Sequence, residues 1–189
     1  MNDTDGTIEK IEKLFSAKSN AVIAIDGCCA SGKTTFAETL SERTGAQVIH
    51  MDDFFLPPAM RTAQRLSQPG GNVHYERFID EVIGGIRSDK PFEYRIFKCS
   101  VGDFCGKSGI DPHKPIIIEG AYALHPEIPH IYDMRIFLTV SPETQLRRIR
   151  ERNGEQALKI FEEKWIPLEN RYFSAFGIKE KSNIVINNE

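Results

Sequence analysis

The residues from 21 to 35 carry the most definite chemical pattern in this sequence. An apolar run leads through Asp26 into Gly-Cys-Cys-Ala-Ser-Gly-Lys-Thr, residues 27 to 34, and a helical pattern follows. This spacing of two glycines before a lysine and a threonine is typical of a phosphate-binding loop between a strand and a helix. The loop's backbone N–H groups surround an anion, and the start of the helix adds positive charge. The pattern therefore predicts a site for the phosphates of a nucleotide.

Each position of this loop has a predicted part in binding ATP. We expect the nucleotide to contact all nine residues, namely Gly27, Cys28, Cys29, Ala30, Ser31, Gly32, Lys33, Thr34 and Thr35. Lys33 can reach the β- and γ-phosphates and is a candidate catalytic residue, and the Thr34 hydroxyl can bind Mg²⁺. A chance match in a glycine-containing turn is the alternative, which the preceding strand and following helix disfavour. ATP and Mg²⁺ are therefore the predicted cofactors.

Two other apolar runs end in carboxylates. Residues 47–51 lead into Asp52 and Asp53, and residues 115–118 lead into Glu119. Asp52 could orient an attacking hydroxyl or accept its proton, with a turn or helix cap as the alternative. For Asp53, hydroxyl binding and plain solvation stay open. A buried carboxylate at Glu119 needs a partner, so we expect it to hold Mg²⁺ through water or to bind the acceptor.

A helix predicted after Ser141 is rich in arginine. It contains Arg147, Arg148, Arg150 and Arg152. A solvated charged face is the ordinary interpretation of such a run. The alternative is a mobile lid, over residues 147–156, that brings arginines to the transferring phosphoryl group. Arg148 and Arg152 lie four residues apart and share a helix face, so they are the candidate catalytic arginines.

Strand and helix patterns alternate along the chain. The predicted strands cover residues 21–26, 47–51, 115–119, 134–140 and 183–186, and the predicted helices cover 7–17, 33–45, 76–87, the stretch after 141, 155–165 and 168–176. Residues 54–72 read as a loop and 90–109 as a hairpin or an irregular excursion. The alternation predicts an α/β fold of the three-layer α/β/α P-loop NTPase type, with a mainly parallel five-stranded sheet in one domain, residues 1–189. Ligands bind such sheets at the carboxyl ends of the strands, where the loop and the three acids would meet.

The composition of the chain limits which kinds of molecule we expect the protein to bind. The net charge of −3 gives no basic footprint for a nucleic-acid binder. No apolar run approaches the roughly 20 residues that span a bilayer. Of the four cysteines, Cys28 and Cys29 lie in the phosphate-binding loop, and Cys99 and Cys105 have no further metal-ligand residues at the usual spacing. The five histidines form no metal set. We therefore expect reduced thiols and a cytoplasmic protein that binds neither membranes nor nucleic acid. The oligomeric state stays open, with a homodimer as one alternative.

Together these residues resemble the uridine kinase group of P-loop kinases, which includes nicotinamide riboside kinase, phosphoribulokinase and bacterial pantothenate kinase. The resemblance runs from Val22 to Arg152, and its four features follow the family's order: residues 27–34, Met51-Asp52-Asp53-Phe54-Phe55, Ile118-Glu119-Gly120 and Arg147-Arg148. It implies ATP-dependent phosphoryl transfer to a primary hydroxyl of a small metabolite, with Asp52 acting on that hydroxyl.

The acceptor is less well defined by this resemblance. The hairpin residues 94–100 lack the His-Ser-Arg element of uridine kinases, and Asn72-Val73-His74 puts His74 where that family often has a ribose-binding acid. Residues 57–71 are expected to close over substrate, bringing Arg61 or Arg65 to it. The predicted acceptor-binding residues are Asp52, Asp53, Arg61, His74, Tyr94 and Glu119.

Several functions stay open at this point. A nucleoside such as uridine or cytidine is the favoured acceptor, and nicotinamide riboside, pantothenate or another hydroxyl compound is the alternative. A nucleotide-dependent switch or regulatory ATPase is disfavoured because no Asn-Lys-x-Asp or Asp-x-x-Gly element stands in a suitable position. A degenerate kinase fold kept as a binding module is the third alternative. The aromatic residues Phe161, Trp165, Tyr172 and Phe173 are expected in the core rather than stacked on a base.

Overall fold

A computed structural model describes residues 3 to 189 of the chain. Elements are numbered in chain order. The strands are β1 (Val22–Gly27), β2 (Gln47–His50), β3 (Phe92–Lys98), β4 (Asp103–Ile110), β5 (Ile116–Glu119), β6 (Met134–Thr139) and β7 (Ile184–Asn187). The α-helices are α1 (Asp3–Ala17), α2 (Lys33–Thr44), α3 (Ala63–Ser67), α4 (Tyr75–Phe78), α5 (Gly84–Arg87), α6 (Pro142–Ile160) and α7 (Ile166–Phe176).

Five strands form one parallel sheet in the order β2-β5-β1-β6-β7, which confirms the predicted α/β fold and its sheet. Successive residues of β1 face opposite sides, because side chains alternate along a strand. Ala24 packs into one hydrophobic cluster and Ile23 into another on the far face. Both faces are therefore covered, as a parallel sheet requires. The antiparallel pair β3-β4 forms a separate hairpin. Among residues 3–189, none of the helices combines the length and the hydropathy that a membrane span requires.

The segment predicted as a loop, residues 54–72, contains short helices. A 3-10 turn spans Pro58–Met60, and α3 follows it. The Thr62 side chain accepts a hydrogen bond from the Arg65 N–H, which caps α3 in the usual way for threonine. The prolines and glycines of residues 54–72 suggested an irregular loop. The Thr62 cap nevertheless stabilises one helical turn at α3.

The helix predicted over 76–87 begins one residue earlier and is not regular. Between α4 and α5 the backbone widens into a π-turn, Ile79–Ile83, and a second π-turn, Phe161–Trp165, joins α6 to α7. Within α6, Gly154 leaves helical geometry with φ 81° and ψ 171°. This confirms the predicted interruption at Gly154, a conformation that glycine adopts readily.

Asp26 lies near the carboxyl end of β1, which is the end of the sheet where the site lies. Its buried carboxylate accepts hydrogen bonds from the N–H groups of Gly27, Tyr122 and Leu124 and from the Tyr172 hydroxyl, at 2.7 to 3.2 Å. Burial raises the pKa of Asp26, while the hydrogen bonds from Leu124, Tyr172 and Gly27 lower it. Hydrogen bonds to this one carboxylate therefore join the phosphate-binding loop, the turn after β5 and helix α7.

Candidate active site

A cavity of about 570 Å³ opens at the carboxyl ends of the strands. Its volume falls within the range of metabolite and cofactor sites. The phosphate-binding loop forms one part of its wall, and side chains from several other segments of the chain complete it. They include Asp52, Asp53, Phe55, Arg61, Asn72, Phe97, Lys98, Cys99, Ser100, Glu119, Tyr122, Arg152, Phe161, Lys164, Trp165 and Glu169.

The phosphate-binding loop has the backbone that its glycines predict. Gly27 and Gly32 have φ of 140° and 89°, and a Cβ at Gly27 would collide with the Leu138 carbonyl. Six of the nine predicted contact residues line the cavity: Cys29, Ala30, Gly32, Lys33, Thr34 and Thr35. Gly27, Cys28 and Ser31 form the turn behind them. Helix α2 begins at Lys33, so its first N–H groups, which have no partner inside the helix, stand at the cavity.

The Lys33 ammonium folds over the loop. Its Nζ donates to the carbonyl oxygens of Gly27 and Cys28, both at 2.8 Å, and the residue is 8% exposed. A buried ammonium needs hydrogen-bond acceptors, and here the loop's own carbonyls supply them. The same atom stands at the cavity wall, where phosphate oxygens could take their place.

Thr34 and Glu119 come together from α2 and the end of β5. The Thr34 Oγ1 lies 3.3 and 3.4 Å from the two Glu119 oxygens, and His50 Nδ1 lies 2.6 Å from Glu119 Oε1. That hydrogen bond raises the pKa of His50. No cluster of three or more His, Cys, Asp or Glu side chains within residues 3–189 is arranged for a metal. A hydroxyl beside a carboxylate nevertheless fits Mg²⁺, which takes few protein ligands and completes its shell with phosphate and water.

Asp52 and Asp53 follow β2 on a 3-10 turn, Met51–Phe54. Asp52 lines the cavity and is exposed to solvent. Desolvation by the neighbouring protein groups, and next the charge of Glu119, raise the pKa of Asp52. Burial likewise raises the pKa of Asp53, whose Oδ2 accepts a hydrogen bond from the Tyr94 hydroxyl at 3.2 Å. A carboxylate with raised pKa beside a phosphate site is placed to accept a proton.

The other predicted acceptor residues divide into two groups. Arg61 lines the cavity, held by its Nε donating to the Leu56 carbonyl at 2.8 Å. Tyr94 is 1% exposed and stands behind Asp53, so it positions that acid and does not line the cavity. His74 is also outside the cavity wall, because its Nδ1 accepts from the Arg77 N–H and caps α4. Direct substrate contact by His74 and Tyr94 therefore does not agree with this geometry.

The four arginines of α6 face different ways. Arg148 donates to the Ala30 carbonyl of the phosphate-binding loop at 3.3 Å, and Arg152 lines the cavity. Arg147 pairs with Glu151 at 3.2 Å and Arg150 with Glu155 at 2.6 Å on the surface. The two arginines chosen from their spacing thus face the site, and the other two lie in exposed ion pairs.

Sequence reasoning missed Glu169. Its Oε2 accepts the Cys29 N–H at 2.8 Å across 140 residues of chain, and burial raises its pKa. Its only sequence signal was an acid within an amphipathic helix.

Phe161 and Trp165, expected in the core, instead line the cavity, because the π-turn between α6 and α7 carries them there. Tyr172 is fully buried, as expected.

Residues 23–171 match the family model described as AAA domain. The chain belongs to this family. The match covers the phosphate-binding loop, all three acids of the site and Glu169.

Curated relatives of this AAA domain share 25 to 28% identity with it. They include tRNA-specific adenosine deaminase subunit tad2 of Schizosaccharomyces pombe (28% over 141 residues), uridine-cytidine kinase C of Dictyostelium discoideum (25% over 134) and cytidylate kinase of Thermoplasma volcanium (25% over 175). The matches cover 70, 70 and 88% of this chain. The chain spans 33 and 29% of the length of the first two and 82% of the third.

Solved structures similar to this AAA domain include two kinase-related proteins. A possible uridine kinase from Bacillus stearothermophilus gives a TM-score of 0.67 at 18% identity, covering 95% of this chain and 96% of that one. A proposed fructose transport system kinase from Silicibacter sp. TM1040 gives 0.72 at 17%, covering 98% of both chains. The resemblance to uridine kinase-like P-loop kinases is confirmed at the level of the fold.

Proposed function

We propose that this AAA domain is an ATP-dependent kinase that transfers a phosphoryl group to a primary hydroxyl of a small metabolite. The observation that carries the proposal is the position of Asp52, which faces the same cavity as Lys33 and Thr34. A triphosphate on the loop would place its terminal phosphate at the end of the cavity where an acceptor hydroxyl could meet Asp52. A nucleoside such as uridine or cytidine is the favoured acceptor.

The charges around the cavity suit phosphoryl transfer. Catalysis of this reaction consists mainly of positioning and of positive charge on the transferring group. Lys33 supplies charge from the loop, and Arg148 and Arg152 supply it from α6. Mg²⁺ held by Thr34 and Glu119 would neutralise phosphate charge when bound. Asp52 orients the acceptor hydroxyl and takes its proton, and Asp53 and Arg61 hold the acceptor beside it.

The names of several relatives support this choice. Uridine-cytidine kinase C, cytidylate kinase and the possible uridine kinase all point to phosphoryl transfer on pyrimidine compounds. Nicotinamide riboside, pantothenate and other hydroxyl compounds remain the alternative acceptors. The four cysteines are free thiols, which supports a cytoplasmic site of action.

The proposal is tested by ADP formation from Mg-ATP with a panel of nucleosides, nicotinamide riboside, pantothenate and fructose. A control without acceptor measures hydrolysis alone. We expect a large stimulation by at least one compound. Equal slow hydrolysis in every reaction would contradict the kinase proposal and favour a regulatory ATPase.

Asp52→Asn tests the assigned base. We expect kcat to fall about 10³-fold while ATP binding is retained, because general-base catalysis is lost and the loop is untouched. Asp80→Asn is the matched control, since Asp80 is an exposed acid away from the cavity. Near-normal turnover by Asp52→Asn would show that the proton goes elsewhere.

A further inference from the structure

His50 and Thr34 both contact the Glu119 carboxylate, and His50 lies closer to it. The His50 Nδ1 is 2.6 Å from Glu119 Oε1, whereas the Thr34 Oγ1 is 3.3 and 3.4 Å from the two Glu119 oxygens. A hydroxyl that donates to an oxygen normally approaches to about 2.5–3.0 Å. The contact with Thr34 is therefore weak, and the hydrogen bond with His50 is the one that fixes the position of Glu119.

The pairing of β2 with β5 brings His50 and Glu119 together. The two residues are register partners at the carboxyl ends of these parallel strands, so their side chains share one face of the sheet. Gly120 follows Glu119, and a Cβ at Gly120 would lie 2.9 Å from the Met51 Cβ. This glycine therefore lets the turn after β2 pack closely against the end of β5. The distance between His50 and Glu119 is thus set by the sheet and not by a flexible loop.

The hydrogen bond with His50 leaves one oxygen of Glu119 for another partner. A carboxylate only accepts hydrogen bonds, so the His50 Nδ1–H donates to Oε1. Among the residues that the structure describes, Thr34 makes the only hydrogen-bonding contact with Oε2. The Glu119 side chain is 5% exposed and that of His50 is 40% exposed. A buried carboxylate with several rotatable bonds is therefore held through one oxygen by a half-exposed ring.

His50 is placed to act through Glu119 and not on a ligand in the cavity. Thr34 and Glu119 line the cavity, whereas His50 is not part of its wall. A side chain that holds a metal ligand without touching the metal fixes the orientation of that ligand, and its loss typically weakens metal binding about 10–100-fold. Mg²⁺ is sensitive to such positioning, because it demands near-ideal octahedral geometry.

We infer that His50 is a positioning residue for Mg²⁺ binding, whose hydrogen bond holds the Glu119 carboxylate where it and the Thr34 hydroxyl can bind the ion together. This inference rests on the proposed function, which assigns Mg²⁺ to Thr34 and Glu119. The alternative is a hydrogen bond that only stabilises the fold. Such a bond would contribute to the melting temperature and leave the affinity for the metal unchanged.

The test measures metal affinity without any turnover. Mn²⁺ binds the same kinds of oxygen ligand as Mg²⁺ and gives a paramagnetic resonance signal when free. It is titrated into the protein bound to AMP-PNP, an ATP analogue that is not hydrolysed. His50→Leu removes the donor, and we expect the affinity for Mn²⁺ to fall about tenfold or more. The affinity for AMP-PNP in EDTA should not change, because the substitution leaves the phosphate-binding loop intact.

His50→Asn is the matched variant. Asparagine and leucine have nearly the same shape, but the asparagine Nδ2 stands near the position of the histidine Nδ1 and can donate to Glu119. We therefore expect His50→Asn to keep most of the affinity for Mn²⁺. His50→Ala, which also lacks the donor, gives the same comparison should leucine not be tolerated beside Glu119. His130→Leu changes an exposed histidine outside the cavity wall and is the control.

The outcomes separate this inference from the proposed function. Full affinity for Mn²⁺ in His50→Leu, with or without a lower melting temperature, overturns the inference alone, and so does an equal loss in His50→Asn and His50→Leu. Unchanged affinity for Mn²⁺ in Glu119→Gln overturns the Mg²⁺ assignment and, with it, the inference. The binding measurements need no acceptor, so absence of turnover with every acceptor overturns only the proposed kinase function.

Discussion

The two ends of the cavity are built in opposite ways. The phosphate end comes from one continuous stretch, residues 27–35, between the central strand β1 and helix α2. The acceptor end is assembled from separate segments of the chain, among them those around Asp52, Arg61, Phe97 and Trp165. The first is a backbone structure whose N–H groups stand at the cavity, and the second is made of side chains.

This difference separates nucleotide binding, which depends on the loop backbone, from acceptor recognition, which depends on the side chains of distant segments. In the proposed function, N–H groups and one lysine hold the phosphate, so many loop side chains could change without loss of this binding. Acceptor recognition depends on the types of side chain that distant segments bring together. Specificity is therefore expected to vary with the acceptor end, while nucleotide binding stays with the loop.

The largest effect is expected where α6 bridges the two ends. Arg148→Ala or Arg152→Ala should lower kcat roughly 10³-fold, because positive charge on the transferring phosphoryl group is lost. Arg150→Ala, which removes a surface pair with Glu155, is the matched control. Steady-state measurement of kcat with the best acceptor, for each of the three variants, tests this prediction. Equal, small losses in all three variants would mean that α6 presents only a solvated charged face.

A smaller effect is expected from acid at His125, a buried residue that does not line the cavity. His125 is 4% exposed, packs on Tyr75 at 4.6 Å, and lies where a Cβ at Gly70 would collide with it. Burial, and next the charge of Arg65, hold the pKa of His125 at about 4. The unfolded chain, with an ordinary pKa near 6.5, binds more protons between these values, so stability is lost as pH falls from about 6.5 to 4.

This contribution of His125 amounts to roughly 3 kcal/mol at pH 4. Urea unfolding at pH 7 and pH 4 should show that much less acid sensitivity in His125→Phe than in the unchanged protein. His113→Phe, at an exposed position, is the control. The same acid sensitivity in both His125→Phe and the unchanged protein would exclude His125 as its source.

The smallest effect concerns the support behind Asp53. Tyr94→Phe removes one hydrogen bond, worth about 1 kcal/mol, and should raise the acceptor KM about fivefold. The KM for ATP should not change, because the phosphate end does not involve Tyr94. Separate titrations of the two substrates measure this. Equal rises in both KM values would show that the two ends are not independent.

Local pattern was enough for the fold and for the phosphate end. The apolar runs defined the strands within one or two residues, and the glycine–lysine–threonine spacing fixed the loop because its function resides in consecutive backbone groups. The positions of Asp52 and Glu119 at the cavity could be predicted as well, since parallel strands end at one edge of a sheet. The helical period predicted that Arg148 and Arg152 share one face of α6. The roles of these four residues remain predictions.

Tertiary packing alone decided the other contacts in and around the cavity. Glu169 meets Cys29 across 140 residues, and no periodicity in α7 distinguishes that acid from a solvated one. His74 looked like a substrate ligand by its place in a motif, but a cap on α4 uses its ring nitrogen. The π-turn that turns Trp165 into the cavity has no sequence signature. A side chain's neighbours depend on how distant segments pack, and that information is not contained in the residues on either side of it.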